Sequence, residues 1–150
     1  MATIEGILKR AHQRAQERNL PYEGALSPLE AFEFLQGRED AVLVDVRTRA
    51  ECDYVGRIPG SVEIEWQIYP GGVPNPRFLE QLQQAVPKTS AALFICRSGA
   101  RSHAAAAAAK GAGYAQCFNV LEGFEGDKDH QGHRNSVGGW RYAGLPWIQS

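Results

Sequence analysis

An excess of charge of one sign is what this chain most plainly lacks. Sixteen lysines and arginines stand against seventeen aspartates and glutamates, a formal net charge of −1, and the charges are spread along the length. With no basic patch, the electrostatic footprint of a nucleic-acid binder is missing, and no nucleic-acid partner is expected. No apolar run approaches the ~20 residues of a membrane span, so no membrane partner is expected either. A secretory leader is not visible, because Lys9, Arg10, Arg14 and Arg18 interrupt everything after Ile7 and Leu8. Cysteine is scarce and odd in number, at Cys52, Cys96 and Cys117. Such a set is no disulfide framework in a chain of 150 residues. The reading is a soluble, cytoplasmic protein whose reducing surroundings leave a thiol free to work.

What is present is an alternation of helical and extended patterns. Ile4, Ile7, Leu8, Ala11 and Ala15 recur at helical spacing and predict an amphipathic helix over about residues 2–18 that docks on the rest of the chain. A short extended segment from Leu20 ends at Ser27. Ser27-Pro28-Leu29-Glu30 then starts a helix by cap, proline and capping-box rules together, with Leu29, Phe32, Phe34 and Leu35 as its apolar face. Ala41–Val46 is a valine-rich strand of the kind covered on both faces. Residues 47–60 read as a loop with a single helical turn near Arg49–Asp53, residues 61–66 as a short strand, and Tyr69–Pro76 as a loop. Asn75-Pro76 repeats the cap-plus-proline signal for a helix bearing Phe78, Leu79, Leu82, Ala85 and Val86. Ala91–Cys96, an alanine-rich helix stopped by Gly111 and Gly113, and a strand over Cys117–Leu121 complete the pattern. Strands alternating with helices imply an α/β domain: a small parallel β-sheet with helices on both faces.

In such sheets, sites form at the carboxyl ends of strands, and Cys96 falls there. It sits where a buried strand meets the start of the alanine helix. The unpaired N–H groups from Arg97 to Ser102 are expected to form an anion cradle, and the helix dipole with Arg97 and Arg101 to favour the thiolate. Gly99 supplies a backbone angle the turn needs. Ser98 and Ser102 suit either the cradle or plain capping. Arg101 reads equally as a substrate contact and as the partner of a carboxylate, and Arg97 lies within reach of an anion at Cys96. Asp45 and Arg47 end the neighbouring strand as supports of the site. There Asp45 can accept loop N–H bonds and Arg47 can pair with Glu51 four residues on.

Three blocks resemble the single-domain rhodanese-type sulfurtransferases. They are Leu43-Val44-Asp45-Val46-Arg47 with Glu51 and Gly56-Arg57-Ile58-Pro59-Gly60-Ser61; Cys96-Arg97-Ser98-Gly99-Ala100-Arg101-Ser102; and Asn119-Val120-Leu121-Glu122-Gly123-Phe124. Arg57 departs from the family's usual histidine. The resemblance implies a rhodanese-like α/β fold over residues 20–126. It also implies Cys96 as the catalytic residue, the loop from Arg97 to Ser102 as the substrate-binding segment, and Asp45, Arg47 and Glu51 in support. The implied activity is transfer of a sulfane sulfur from a small anionic donor, through a persulfide, to a thiol, cyanide or protein acceptor. Arg97 directly after the cysteine resembles thiosulfate-using members, so thiosulfate is the expected donor. Two alternatives stand beside it: a protein-to-protein sulfur-relay or binding module, and a phosphatase-type relative. Cysteine phosphatases carry Cys-x5-Arg. Here Cys96 to Arg101 is one residue shorter, a tighter ring with less room for a tetrahedral phosphate.

Cys117 reads as an inert core residue, and Cys52 as a loop residue open to exposure. Residues 1–19 are expected to pack as a helix on the domain and residues 127–150 as an extension on the same domain, anchored by Trp140 and Trp147. That extension is expected to wall one side of the site's mouth. Asp127, Asp129 and Gly132 resemble the opening of a calcium loop, but Gly138 stands where the closing glutamate belongs. His130 and His133 lack further zinc ligands. Neither a metal nor another cofactor is expected.

Overall fold

The computed structural model describes residues 3–149; the expectations for residues 1, 2 and 150 lie outside the described residues. In chain order the elements are α1 (Ile4–Arg18), β1 (Gly24–Leu26), α2 (Pro28–Gly37), β2 (Ala41–Asp45), α3 (Arg49–Tyr54), β3 (Val62–Glu63), β4 (Gln67–Ile68), β5 (Val73–Pro74), α4 (Phe78–Ala85), β6 (Ala91–Ile95), α5 (Ala100–Gly111) and β7 (Gln116–Val120). Five strands form one parallel sheet in the order β1-β7-β6-β2-β3. Its central strand, β6, is buried along its whole length.

The period of two along β6 sorts its side chains between two cores. Ala91, Leu93 and Ile95 face the layer of α1 and α2, where Ile7, Ala11 and Phe34 meet Phe118, Val120, Phe124 and Trp140. Ala92, Phe94 and Cys96 face the layer of α4 and α5, among Leu82, Val86, Ala105, Ala106 and Ala109. The α/β fold with helices on both faces of a parallel sheet is therefore as the alternation predicts. Cys96 continues the face covered by α5.

Capping chemistry fixes the helix starts. Ser27 Oγ accepts the Glu30 N–H while Glu30 accepts the Ser27 N–H, and the same reciprocal box joins Thr48 and Glu51 at α3. Glu30 is also the anchor of α1, since Arg14 Nη1 lies 2.5 Å and Arg10 Nε 2.8 Å from its carboxylate oxygens.

Four local expectations need correction. Leu29 is 53% exposed, because the buried face of α2 runs through Pro28, Glu30, Ala31 and Phe34 and Leu29 points away from it. The strand expected over 61–66 pairs only at Val62–Glu63, although Ile64 and Trp66 still donate to the Asp45 and Val46 carbonyls. Inside the stretch expected to be a loop, β4 and β5 form a small antiparallel hairpin. Asn75 does not cap α4: its side chain accepts the Arg77 N–H at 3.1 Å and makes a turn before the helix, whose cap residue is Arg77. Among the described residues, no helix is long and apolar enough to cross a membrane.

Candidate active site

β6 delivers Cys96 to the carboxyl edge of the sheet, and the chain turns through residues 97–99 into α5. Gly99 holds φ +113°, the left-handed region that favours glycine, and so lets the helix begin at Ala100, four residues after the cysteine. The turn brings the Gly99 N–H to 3.1 Å from the Cys96 sulfur. Ser102, one turn into α5, places its hydroxyl 3.3 Å from the same sulfur and donates to Asn119 Oδ1 at 2.6 Å. Asn119 in turn donates to the Gly99 carbonyl at 3.2 Å. Cys96 is 1% exposed, and Ser102 and Asn119 are buried with it. Asn119 is a site residue that spacing and motif do not single out; its signal is a polar residue inside the otherwise apolar run Cys117–Leu121.

A clamp holds the turn from outside. Phe124 N–H donates to the Cys96 carbonyl at 2.8 Å, and Glu125 and Gly126 both donate to the Arg97 carbonyl, at 3.0 and 3.2 Å. Gly123 makes the approach possible, because a Cβ there would lie 2.5 Å from the Cys96 oxygen. The C-terminal segment braces this clamp: Gly139 N–H donates to Glu122 Oε1 at 2.9 Å and Trp140 N–H to the Gly123 carbonyl at 2.8 Å. Trp140 is buried, whereas Trp147 is 36% exposed, with the Arg141 guanidinium 4.4 Å above its ring. Farther out, Asp129 accepts from the Gln131 and His133 N–H groups and the Ser136 hydroxyl, which closes a turn.

The charged residues are arranged differently from the expected i,i+4 pairing. Arg47 does not reach Glu51. It lies before the start of α3, and its backbone N–H bonds Asp45 Oδ1 at 3.1 Å, so the side chain folds back on Asp45. Its Nε and Nη2 donate to that carboxylate, Nη2 also reaches the Gly56 carbonyl at 2.8 Å, and the guanidinium stacks 4.1 Å from the Phe124 ring centre. Both side chains of this pair are 0% exposed. Glu51 pairs with Arg101 through two bonds, Nη1 to Oε1 at 2.6 Å and Nη2 to Oε2 at 2.9 Å. Burial pushes the Glu51 carboxyl up, but the Arg101 bonds and the Thr48 N–H outweigh it and hold the pKa at about 2. The Glu51 hydrogen bond raises the Arg101 pKa, with the charge of Cys96 among the smaller contributions.

Arg97 is exposed and borders a hollow of about 480 Å³ shared with Glu51, Thr48, Tyr69 and Glu125. A larger hollow of about 540 Å³ is lined by Arg47, Cys52, Arg57 and Glu63 and not by Cys96. Cys52 is not in an open loop: it is buried in α3, its sulfur 3.8 Å from Asp45 Oδ2. Burial, then the Asp45 charge, push its thiol up to about 12. Cys117 is buried and pushed up to about 12, by burial and then Glu23. Arg57 bonds Asp53 at 2.6 Å and Glu63 at 2.8 Å.

Residues 29–130 match the model of the Rhodanese-like domain. The chain belongs to the rhodanese-like domain family. It is 43% identical to Rv0390 from M. tuberculosis, whose crystal structure superposes with a TM-score of 0.80 over 86% of this chain and 99% of that one. An uncharacterized protein of Rickettsia conorii, RC0915, is 35% identical over 125 residues, 78% of this chain and 90% of that protein. A protein named sulfurtransferase from Allochromatium vinosum is 31% identical over 114 residues, 76% of this chain and 84% of its own length. The rhodanese-like domain thus takes in the Asp45–Arg47 pair, the Cys96 turn and the clamp up to Gly126.

Proposed function

We propose that this chain is a sulfurtransferase that carries a sulfane sulfur as a persulfide on Cys96. The observation that carries the reading is the Cys96 sulfur held at the sheet's carboxyl edge, 3.1 Å from the Gly99 N–H, inside a turn ending at a helix start. Such a turn stabilises an anionic sulfur without moving a proton. The Cys96 thiolate attacks the outer sulfur of thiosulfate or a similar donor. A new S–S bond forms, the donor's S–S bond breaks, and its electron pair leaves on sulfite, so three negative charges stand on each side of the step. The persulfide then gives its outer sulfur to a thiol, cyanide or a protein acceptor, and the thiolate returns. Arg97, Ser98, Gly99, Ala100, Arg101 and Ser102 form the loop around the sulfur, while Asp45, Arg47 and Glu51 support it. Three free thiols suit a reducing, cytoplasmic setting.

A sulfur relay between proteins uses the same persulfide. A phosphatase reading is disfavoured by the short Cys96-to-Arg101 ring. Mass measured after brief exposure to thiosulfate tests the proposal: wild type gains about 32 Da, one sulfur atom, and Cys96→Ala gains nothing. A Cys96→Ala variant that still loads sulfur, or loading of wild type from a protein donor alone, would overturn the free-donor reading.

A further inference from the structure

Near the Cys96 turn, one of the two loop arginines is already occupied. Arg101 stands in the first turn of α5 beside Ser102, whose hydroxyl lies 3.3 Å from the Cys96 sulfur, yet both of its terminal nitrogens rest on the Glu51 carboxylate. Glu51 is itself fixed from behind by the Thr48 N–H and hydroxyl, each at 3.1 Å, so the carboxylate cannot swing away without undoing the start of α3. The two side chains are 20% and 21% exposed, which places the pair at the rim rather than in the core. Arg97 is the other loop arginine, and the hollow it borders is also bordered by Glu51 and Glu125. Glu51 therefore stands between the two arginines: it holds Arg101 by two bonds and lines with Arg97 and Glu125 a hollow that neither Cys96 nor Arg101 lines, so two carboxylates balance the formal charge of the two guanidiniums.

Charge balanced in this way treats donors unequally. Thiosulfate brings two negative charges, and desolvating the second needs an uncommitted cation. A monoanionic donor of the same chemistry, such as a thiosulfonate, brings one charge, which the Gly99 N–H and Arg97 suffice to meet.

We infer that Glu51 is a specificity-determining residue of the sulfur-transfer site: by sequestering Arg101 it biases the chain toward monoanionic sulfane-sulfur donors and against the dianion thiosulfate. The inference rests on the persulfide reading of Cys96 and narrows its donor class. Glu51 acts through Arg101 and is a positioning residue; it does not touch the reacting sulfur. The step with a thiosulfonate balances as before: the Cys96–S bond to the outer sulfur forms, the donor's S–S bond breaks, and sulfinate leaves with the electron pair.

The test compares kcat/KM for persulfide formation from thiosulfate and from methanethiosulfonate. Intrinsic reactivities differ, but they cancel when the ratio of the two is compared between variants. Glu51→Gln keeps an acceptor for the α3 cap and frees Arg101. The thiosulfate-to-thiosulfonate ratio is expected to rise about ten-fold or more, through KM, as one uncompensated charge near the site predicts. Adding Arg101→Gln to Glu51→Gln returns the ratio to within about two-fold of wild type, since no free cation remains. A purely structural role for Glu51 would slow both donors alike and leave the ratio fixed, which overturns the assignment. Arg101→Gln alone guards against a Glu51→Gln protein that fails to fold. A sequestered Arg101 predicts a ratio within about two-fold of wild type, whereas a ten-fold fall, roughly the worth of a lost charged contact, would show that Arg101 binds donor already. Wild type that takes sulfur from neither donor overturns the persulfide reading itself. Wild type that loads normally with a ratio unmoved by Glu51→Gln overturns only the role of Glu51.

Discussion

Ser102 gives its hydroxyl proton to Asn119 Oδ1 at 2.6 Å, and so turns an oxygen lone pair toward the Cys96 sulfur 3.3 Å away. The Asn119 amide is oriented by its own donation to the Gly99 carbonyl.

Removing that hydroxyl tests how much the network holds. Ser102→Ala strands the Asn119 oxygen in a site with almost no solvent access, and a loss of about 1–3 kcal/mol of stability is expected. Urea unfolding is the measurement: the midpoint falls with an unchanged slope. A loss under about 0.5 kcal/mol would mean that the network carries little of the fold's stability.

Arg47 is a case of a charge that cannot be spared. Its partner Asp45 is equally buried, so Arg47→Ala leaves a carboxylate unpaired beside β6, at an expected cost of about 3–5 kcal/mol. Arg47→Lys should recover only part of this. A single ammonium cannot serve the Asp45 oxygens and the Gly56 carbonyl while stacking on Phe124. Thermal melting of both variants checks the order wild type, Lys, Ala; Lys equal to wild type would contradict the bidentate account.

Acid should loosen the docking of α1. Glu30 has an ordinary pKa of 4.5; burial pushes it up, but the Arg14 bond, the Ser27 N–H and Arg10 bring it to about 2. A folded pKa below the unfolded one means stability that is complete above about pH 4.5 and lost as pH falls toward 2. Glu51 follows the same sign over the same window. Urea midpoints are expected to be flat near neutrality and to fall steeply below pH 4.5, the ordinary value for both groups. Glu30→Gln should be weaker at pH 7 with a shallower acid slope. An equally steep slope in that variant would remove Glu30 from the explanation.

Much of this was legible from local pattern. The apolar runs Ala41–Val46 and Ala91–Ile95 announced buried parallel strands, and Ser27-Pro28-Leu29-Glu30 announced α2, because each signal acts within a few residues. The strand-to-helix switch put Cys96 at a strand end for the same reason. Contacts between distant segments were harder. Nothing in the spacing of Glu51 and Arg101 states that α3 and α5 bring them together, and the i,i+4 rule pointed Glu51 to Arg47 instead. That rule presupposes one helix, and Arg47 precedes it. The helical turn read near Arg49–Asp53 is α3, and the capping-box signal of Thr48 and Glu51 would have placed Cys52 inside it rather than in an open loop. Leu29 misleads because an apolar residue can fall on the solvent side of a turn whose neighbours, Pro28 and Glu30, are buried.

The clamp on the Cys96 turn bears on how the length of that turn can change over evolutionary time. Cys96 and Arg97 lend their carbonyls to Phe124, Glu125 and Gly126, and Gly123 fits with no space to spare. One residue inserted before Arg101, enough to widen the ring for a bulkier anion, would shift those carbonyls off their donors or require the segment after β7 to shift with them. Ring size is therefore inherited jointly by two stretches far apart in the chain, and drift in either one alone passes through a form that has lost its grip on the cysteine.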